Sequence, residues 1–280
     1  MDAYINGDMS SVSEFLDGLQ ASGQYSFSSE EAVLRLKCSA DAWVQSAVRL
    51  VKSRRLACPR RGFYLILRPE DQALGAPDPV RWIDAFMRHL KLDYRISMLR
   101  AAAFHGSTHQ SAMLFQLIVP RQVRPVTIGR HKLQFIYQSP ASFAKVNRPE
   151  WIGRIKSEAG YAQVAGIELT LLDSIRYFHK AAGINGAAQI AHDLGAKAAS
   201  GKLAKIAVEY EQSAARRLGY LLELYGHERQ ARALLPIASK AKSMKRLDPS
   251  LRPVDVMAAS PSEVNETWKL EINVPVEIDS

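Results

Sequence analysis

The sequence predicts an α+β protein in two parts, and three observations carry that prediction. Residues 39–68 read as a helix, Ser39 to Ser53, followed by a two-stranded hairpin tipped by Arg60-Arg61-Gly62. Residues 113–137 leave helical spacing for two β-rich runs, Met113–Val119 and Leu133–Tyr137, with Pro120, Pro125 and Gly129 between them. From Thr170 the chain turns helical again, and a last strand is expected at Trp268–Val274. The fold class that follows is an N-terminal winged helix-turn-helix joined to a larger mixed α+β C-terminal domain.

Each element has a local reason. Ser13–Gln20 has Phe15, Leu16 and Leu19 on one side of a short helix that ends near Gly23. Ser28 and Glu31 have capping-box spacing, which starts a second helix turning Ala32, Val33, Leu36 and Cys38 inward. Ser39 caps the third helix, whose Val44, Ala47, Val48 and Val51, flanked by Leu50, are expected to face the core. Pro69, Gly75, Pro77 and Pro79 punctuate the next segment, so the domain boundary is placed at Pro69–Pro77, giving domains 1–70 and 71–280. Asp78-Pro79 restarts the chain as N-cap and first helical residue, ahead of Trp82, Ile83, Phe86, Met87 and Leu90 at helical spacing. An alanine-rich helix is expected from Ile96 to Phe104, stopping at His105-Gly106. Leu203, Ile206, Ala207, Tyr210, Ala214, Leu218, Leu221 and Leu222 make one long amphipathic face, and Ser239–Arg246 a basic connector.

Composition narrows the chemistry. The net charge of +9 over 280 residues fits a polyanionic partner. Cys38 and Cys58 have no ligand set around them and read as reduced thiols. Met1–Asn6 has neither the basic nor the apolar region of a signal peptide, and no apolar run approaches the ~20 residues of a membrane span. The expected location is the cytoplasm, with no membrane partner.

The charge is concentrated where a nucleic acid would lie. From Arg49 to Arg68 there are six arginines, one lysine and no acid. On the third helix, Asp41, Gln45, Arg49 and Lys52 form the stripe opposite the expected core, with Ser46 and Trp43 at its edge and Ser39 at its start. Gln and Arg can pair bidentately with adenine and guanine edges, so this stripe has the chemistry of base readout. Arg54, Arg55, Arg60 and Arg61 are the expected phosphate or minor-groove contacts. His105 and His109 have i,i+4 metal spacing, but Gly106 interrupts the helix and no carboxylate or cysteine stands at a matching distance, so no metal is expected. Thr170 and Asp173 read as a helix N-cap and its dipole-compensating acid rather than as half of a carboxylate pair with Glu168. No nucleophile elbow, phosphate-binding loop, dinucleotide fingerprint or nuclease-type triad occurs, so neither a catalytic site nor a cofactor is expected.

With these residues in view, the chain resembles the AbiEi antitoxins, transcriptional regulators of type IV toxin–antitoxin and phage-defence systems. The resemblance is carried by Tyr25-Ser-Phe-Ser-Ser-Glu-Glu-Ala32, by Arg60-Arg61-Gly62-Phe63-Tyr64, and by Gly75-Ala-Pro-Asp-Pro79 with Trp82-Ile83-Asp84. It continues through Tyr94, Ala101–Gly106, Phe115–Val119, Glu168–Asp173, Arg217-Leu218-Gly219 and Trp268–Asn273. Arg100 and the acidic, proline-interrupted tail after Asp255 depart from the family pattern. The resemblance implies a repressor of its own operon that binds inverted repeats in duplex DNA. It also implies a C-terminal domain that opposes a nucleotidyltransferase-like AbiEii toxin without a stable complex. Two competing readings are a stand-alone transcription factor with a ligand-sensing C-terminal domain, and a nucleic-acid-processing enzyme using His105 and Asp173.

Overall fold

The computed structural model describes residues 9–107, 114–251 and 263–278, and the fold is mixed α+β, with helices and several sheets. His109 and the start of the tail, residues 252–262, lie outside the described residues. Helix α1 (Met9–Ala21) stops at Gly23, whose φ of 74° reverses the chain. Strand β1 (Ser26–Ser28) leads into α2 (Ser29–Leu36), capped by the Ser28 hydroxyl, which accepts from the Glu31 amide. Glu31 does not reach back to complete the box; its carboxylate takes Gln24 and Arg35 instead. Ser39 caps α3 (Ala40–Lys52) through the Ala42 amide, and β2 (Leu56–Arg60) and β3 (Phe63–Ile66) form the hairpin. Gly62, at φ 86°, supplies the left-handed residue of its two-residue turn. These strands form a sheet of order β1-β3-β2, both pairings antiparallel.

A single helical turn α4 (Pro69–Gln72) and a 3-10 turn at Pro79–Arg81, capped by Asp78, precede α5 (Ile83–His89). Next come β4 (Arg95–Ile96) and α6 (Met98–Phe104); Ile96 is therefore a strand residue rather than the start of the alanine-rich helix. The β-rich runs become β5 (Leu114–Val119), β6 (Val126–Ile128) and β7 (His131–Tyr137), with β5 parallel and β6 antiparallel to β7. Then follow α7 (Pro140–Val146), the neighbouring strands β8 (Ile152–Ser157) and β9 (Gly160–Ala165), and α8 (Ile167–Arg176). The remaining helices are α9 (Gly183–Gly195), α10 (Ser200–Glu209), α11 (Gln212–Leu224) and α12 (Glu228–Ala238). In a last small sheet, β10 (Lys245–Arg246) is parallel and β11 (Glu263–Asn265) antiparallel to β12 (Leu270–Ile272).

The chain divides into two compact units, one of residues within 1–94, 113–137 and 154–163, the other within 95–112, 138–153 and 164–280. In the first, the opening helices and hairpin close on their own core, in which Phe27 meets Phe15, Trp43 and Tyr64, and Leu16, Leu19, Leu50 and Leu56 are buried around them. On the other side of the hairpin Phe63 packs on Phe86 and His89, and Arg68 and Arg81 stack on Tyr25 while sharing Asp71 and Glu158. In the second unit Gly219 lies against the Trp268 ring, leaving no room for a Cβ, and the Trp268 indole donates to Glu223 at 2.5 Å. Arg216 turns inward to donate to the Trp268, Lys269 and Ser243 carbonyls, which fixes β12 on α11.

Candidate nucleic-acid interface

Helix α3 buries a different stripe from the one its valines suggest. Trp43, Ala47 and Leu50 are in the core, whereas Val44, Val48 and Val51 are 45%, 60% and 38% exposed. Both sets repeat at i, i+4 and i+7, so apolar spacing alone cannot choose between them. The indole decides: Trp43 packs edge-on against Phe27 and Tyr64, burying far more surface than a valine could. Trp43 is consequently removed from the exposed edge where base readout would place it.

The other expected contact residues divide by exposure. Gln45, Arg49, Lys52, Arg54 and Arg61 are exposed, Ser46 and Arg60 half-buried. Ser39 is exposed with its hydroxyl committed to the cap. Arg54 is held at φ 56° where α3 hands over to the hairpin, and Arg49 donates weakly to the Gln45 carbonyl of its own helix. Arg55 turns back to donate to the Ser13 hydroxyl at 3.2 Å, so it braces α1 rather than projecting outward. Arg68, at the end of the basic run, is neutralised by Glu70, Asp71 and Glu158. Arg60 reaches the Arg124 carbonyl, which ties the hairpin to the segment around β6. That segment adds exposed Arg121, Arg124, Arg130 and Lys132. The signal for these was in the sequence: no Asp or Glu occurs between Asp93 and Glu150.

The second unit holds a buried polar centre that local spacing did not reveal. Thr170 and Asp173 lie inside α8, whose N-cap is Gly166 and whose first-turn acid is Glu168. Thr170 returns its hydroxyl to the Ala165 carbonyl, and Glu168 accepts from the Ala199 amide. Asp173, fully buried, takes both arms of the Arg95 guanidinium at 2.8 Å, with Ser97 and Tyr210 donating at 2.6 Å. Gln138 accepts from Arg95, whose other face lies over Phe143. Arg95 and Asp173 are both fully buried, so Asp173 is not a solvent-facing carboxylate. His105 caps α6, with Nε2 2.7 Å from the Ala165 carbonyl. Among the described residues there is no cluster of three metal-ligating side chains and no helix long and apolar enough to cross a membrane.

Burial raises the Tyr210 phenol well above its ordinary range, with the Asp173 carboxylate as the second cause, and the same two causes raise Tyr177. A group whose folded value is raised adds stability that is complete below its unfolded value and is lost as pH climbs toward the folded one. Stability should therefore hold up to about pH 10 and fall above it. Tyr210→Phe, which cannot ionise, should flatten that fall in urea midpoints taken between about pH 8 and 11. An unchanged slope in the variant would remove the assignment.

The comparisons agree with this architecture. Residues 96–224 match the family model described as the AbiEi antitoxin C-terminal domain. The chain carries an AbiEi domain. The match supports an antitoxin of a toxin–antitoxin system. The matched stretch includes Ser97, Asp173 and Tyr210 and begins one residue after Arg95. Among solved structures, the chain is similar to a crystal structure of the RV2827C protein from Mycobacterium tuberculosis, with a TM-score of 0.60 and 16% identity over 94% of this chain and 91% of that one. This likeness concerns the fold. Among curated proteins none matches.

Proposed function

We propose that this chain is a DNA-binding autorepressor and antitoxin of a type IV toxin–antitoxin system acting in phage defence in the cytoplasm. Residues 1–70 act as a winged helix-turn-helix on an inverted repeat in the chain's own promoter. Residues 71–280 oppose a nucleotidyltransferase-like toxin without a stable complex. The observation that carries the DNA reading is the exposed cationic row Arg49, Lys52, Arg54 and Arg61 on α3 and its hairpin, without an acid from Arg49 to Arg68. Gln45 and Arg49, with Ser46 beside them, serve base edges; Lys52, Arg54, Arg60 and Arg61 serve phosphates, and the capped N-terminus at Ser39 adds amide donors. The core around Phe27, closed by the opening helices and the hairpin, supports the reading of residues 1–70 as a DNA-binding module.

Footprinting of the upstream region with the full chain should protect an inverted repeat at low salt; an unprotected promoter would remove the repressor role. Growth rescue against a co-expressed toxin encoded by the adjacent gene should persist in fragment 78–280. Fragment 1–70 should bind DNA weakly and rescue nothing, since it loses the Phe86 and His89 cover of Phe63. Rescue by 1–70 but not by 78–280 would reverse the assignment.

A further inference from the structure

From the exposed valines of α3 we infer that this helix reads thymine: Val44 and Val48 pack on thymine 5-methyl groups in the major groove, which makes T-bearing steps obligatory in each half-site. The inference rests on the DNA-binding reading and adds the base identity that the charged residues leave open. Val44, Val48 and Lys52 repeat every four residues along the helix, and Gln45 and Arg49, each next in sequence to a valine, are exposed beside them. Val44 and Val48 are 45% and 60% exposed. β-Branched residues lower helix propensity, so the exposed part of these valines adds nothing to the isolated chain and points to an apolar counterpart in a complex.

The surroundings select the counterpart. A second copy docking through the same face about a two-fold axis would set Arg49 and Lys52 against their own equivalents, like charge on like charge. An apolar protein surface would strip water from the same cations and return no partner. Duplex DNA accepts the cations on phosphates and guanine, and its major groove displays one apolar group, the thymine methyl. Four residues along a helix rise about 6 Å, close to two base-pair steps at about 3.4 Å each. Two valines one turn apart therefore match methyls about two steps apart, with Gln45 and Arg49 beside them for adenine and guanine.

The test uses the full chain and its own footprinted operator, with each half-site thymine replaced in turn by deoxyuridine, which removes the methyl and keeps the pairing. At one or two positions per half-site, affinity should fall about fourfold, the value of taking one methyl-sized group out of water. Val48→Ser should lose a similar factor on the thymine operator and show no further loss on the matching deoxyuridine duplex. Equal binding to every deoxyuridine duplex, with the footprint intact, would overturn thymine reading and leave DNA binding standing. If Val48→Ser instead lowered the mass of the free protein in solution, the stripe would belong to a second copy and the inference would fail. An absent footprint would remove both it and the repressor role.

Discussion

Asp173→Ala should cost about 3–5 kcal/mol of folding stability, the penalty of stranding one member of a buried ion pair. Arg95 and Asp173 are both fully buried, so the guanidinium left behind has no water to replace the lost carboxylate. Ser97 and Tyr210 would lose their acceptor in the same step. The centre joins β4, the start of α6, α8 and the junction of α10 with α11, so the AbiEi domain should loosen as a whole. Urea denaturation of the full chain measures the effect, and antitoxicity should fail at growth temperature alongside it. Replacing both partners by apolar residues, Arg95→Met with Asp173→Leu, should cost less than Asp173→Ala alone, because no unpaired charge remains. A loss below about 1 kcal/mol for Asp173→Ala would show that the cavity rehydrates and that the pair does not hold the domain together.

That centre also shows how far the sequence could be read. The capping signature at Thr170 and Asp173 is a local pattern, whereas the partner that claims Asp173 lies 78 residues earlier in the chain. No spacing rule brings Arg95 to it. Tyr210 is a similar case: the apolar periodicity from Leu203 to Leu222 runs on as if through one helix, and no glycine or proline stands between Leu203 and Leu218 to stop it. The chain breaks there because Tyr210 adopts an extended backbone, φ −99° and ψ 176°, with its hydroxyl on Asp173. The caps at Ser28, Ser39 and Asp78, the turn at Gly62 and the strands flanking Pro120 and Pro125 were legible because neighbouring residues decide them. On α3 two apolar stripes competed, and the choice fell to an indole packing against aromatics contributed by β1 and β3.

On DNA, Lys52, Arg54, Arg60 and Arg61 offer about four phosphate contacts, for a log–log salt slope of about −3.6 per protomer. Affinity should then fall about 150-fold between 50 and 200 mM salt. Arg60→Ala with Arg61→Ala should weaken operator and random duplex alike and flatten the slope by about two, because phosphate contacts carry no base information. Arg49→Ala should behave differently. Its guanidinium rises from the face that holds Gln45, so its loss should cost about 1–3 kcal/mol on the operator, little on random DNA, and relax preference at one base pair. Arg55→Ala should leave the slope unchanged, since that side chain is turned back to Ser13. Fluorescence anisotropy with both duplexes at several salt concentrations separates these outcomes. Equal losses on operator and random DNA for Arg49→Ala would place it on the backbone and leave base discrimination to Gln45 and the exposed valines. A steeper dependence on Arg55 than on Arg60 and Arg61 would mean that α1, rather than the hairpin tip, lies against the duplex.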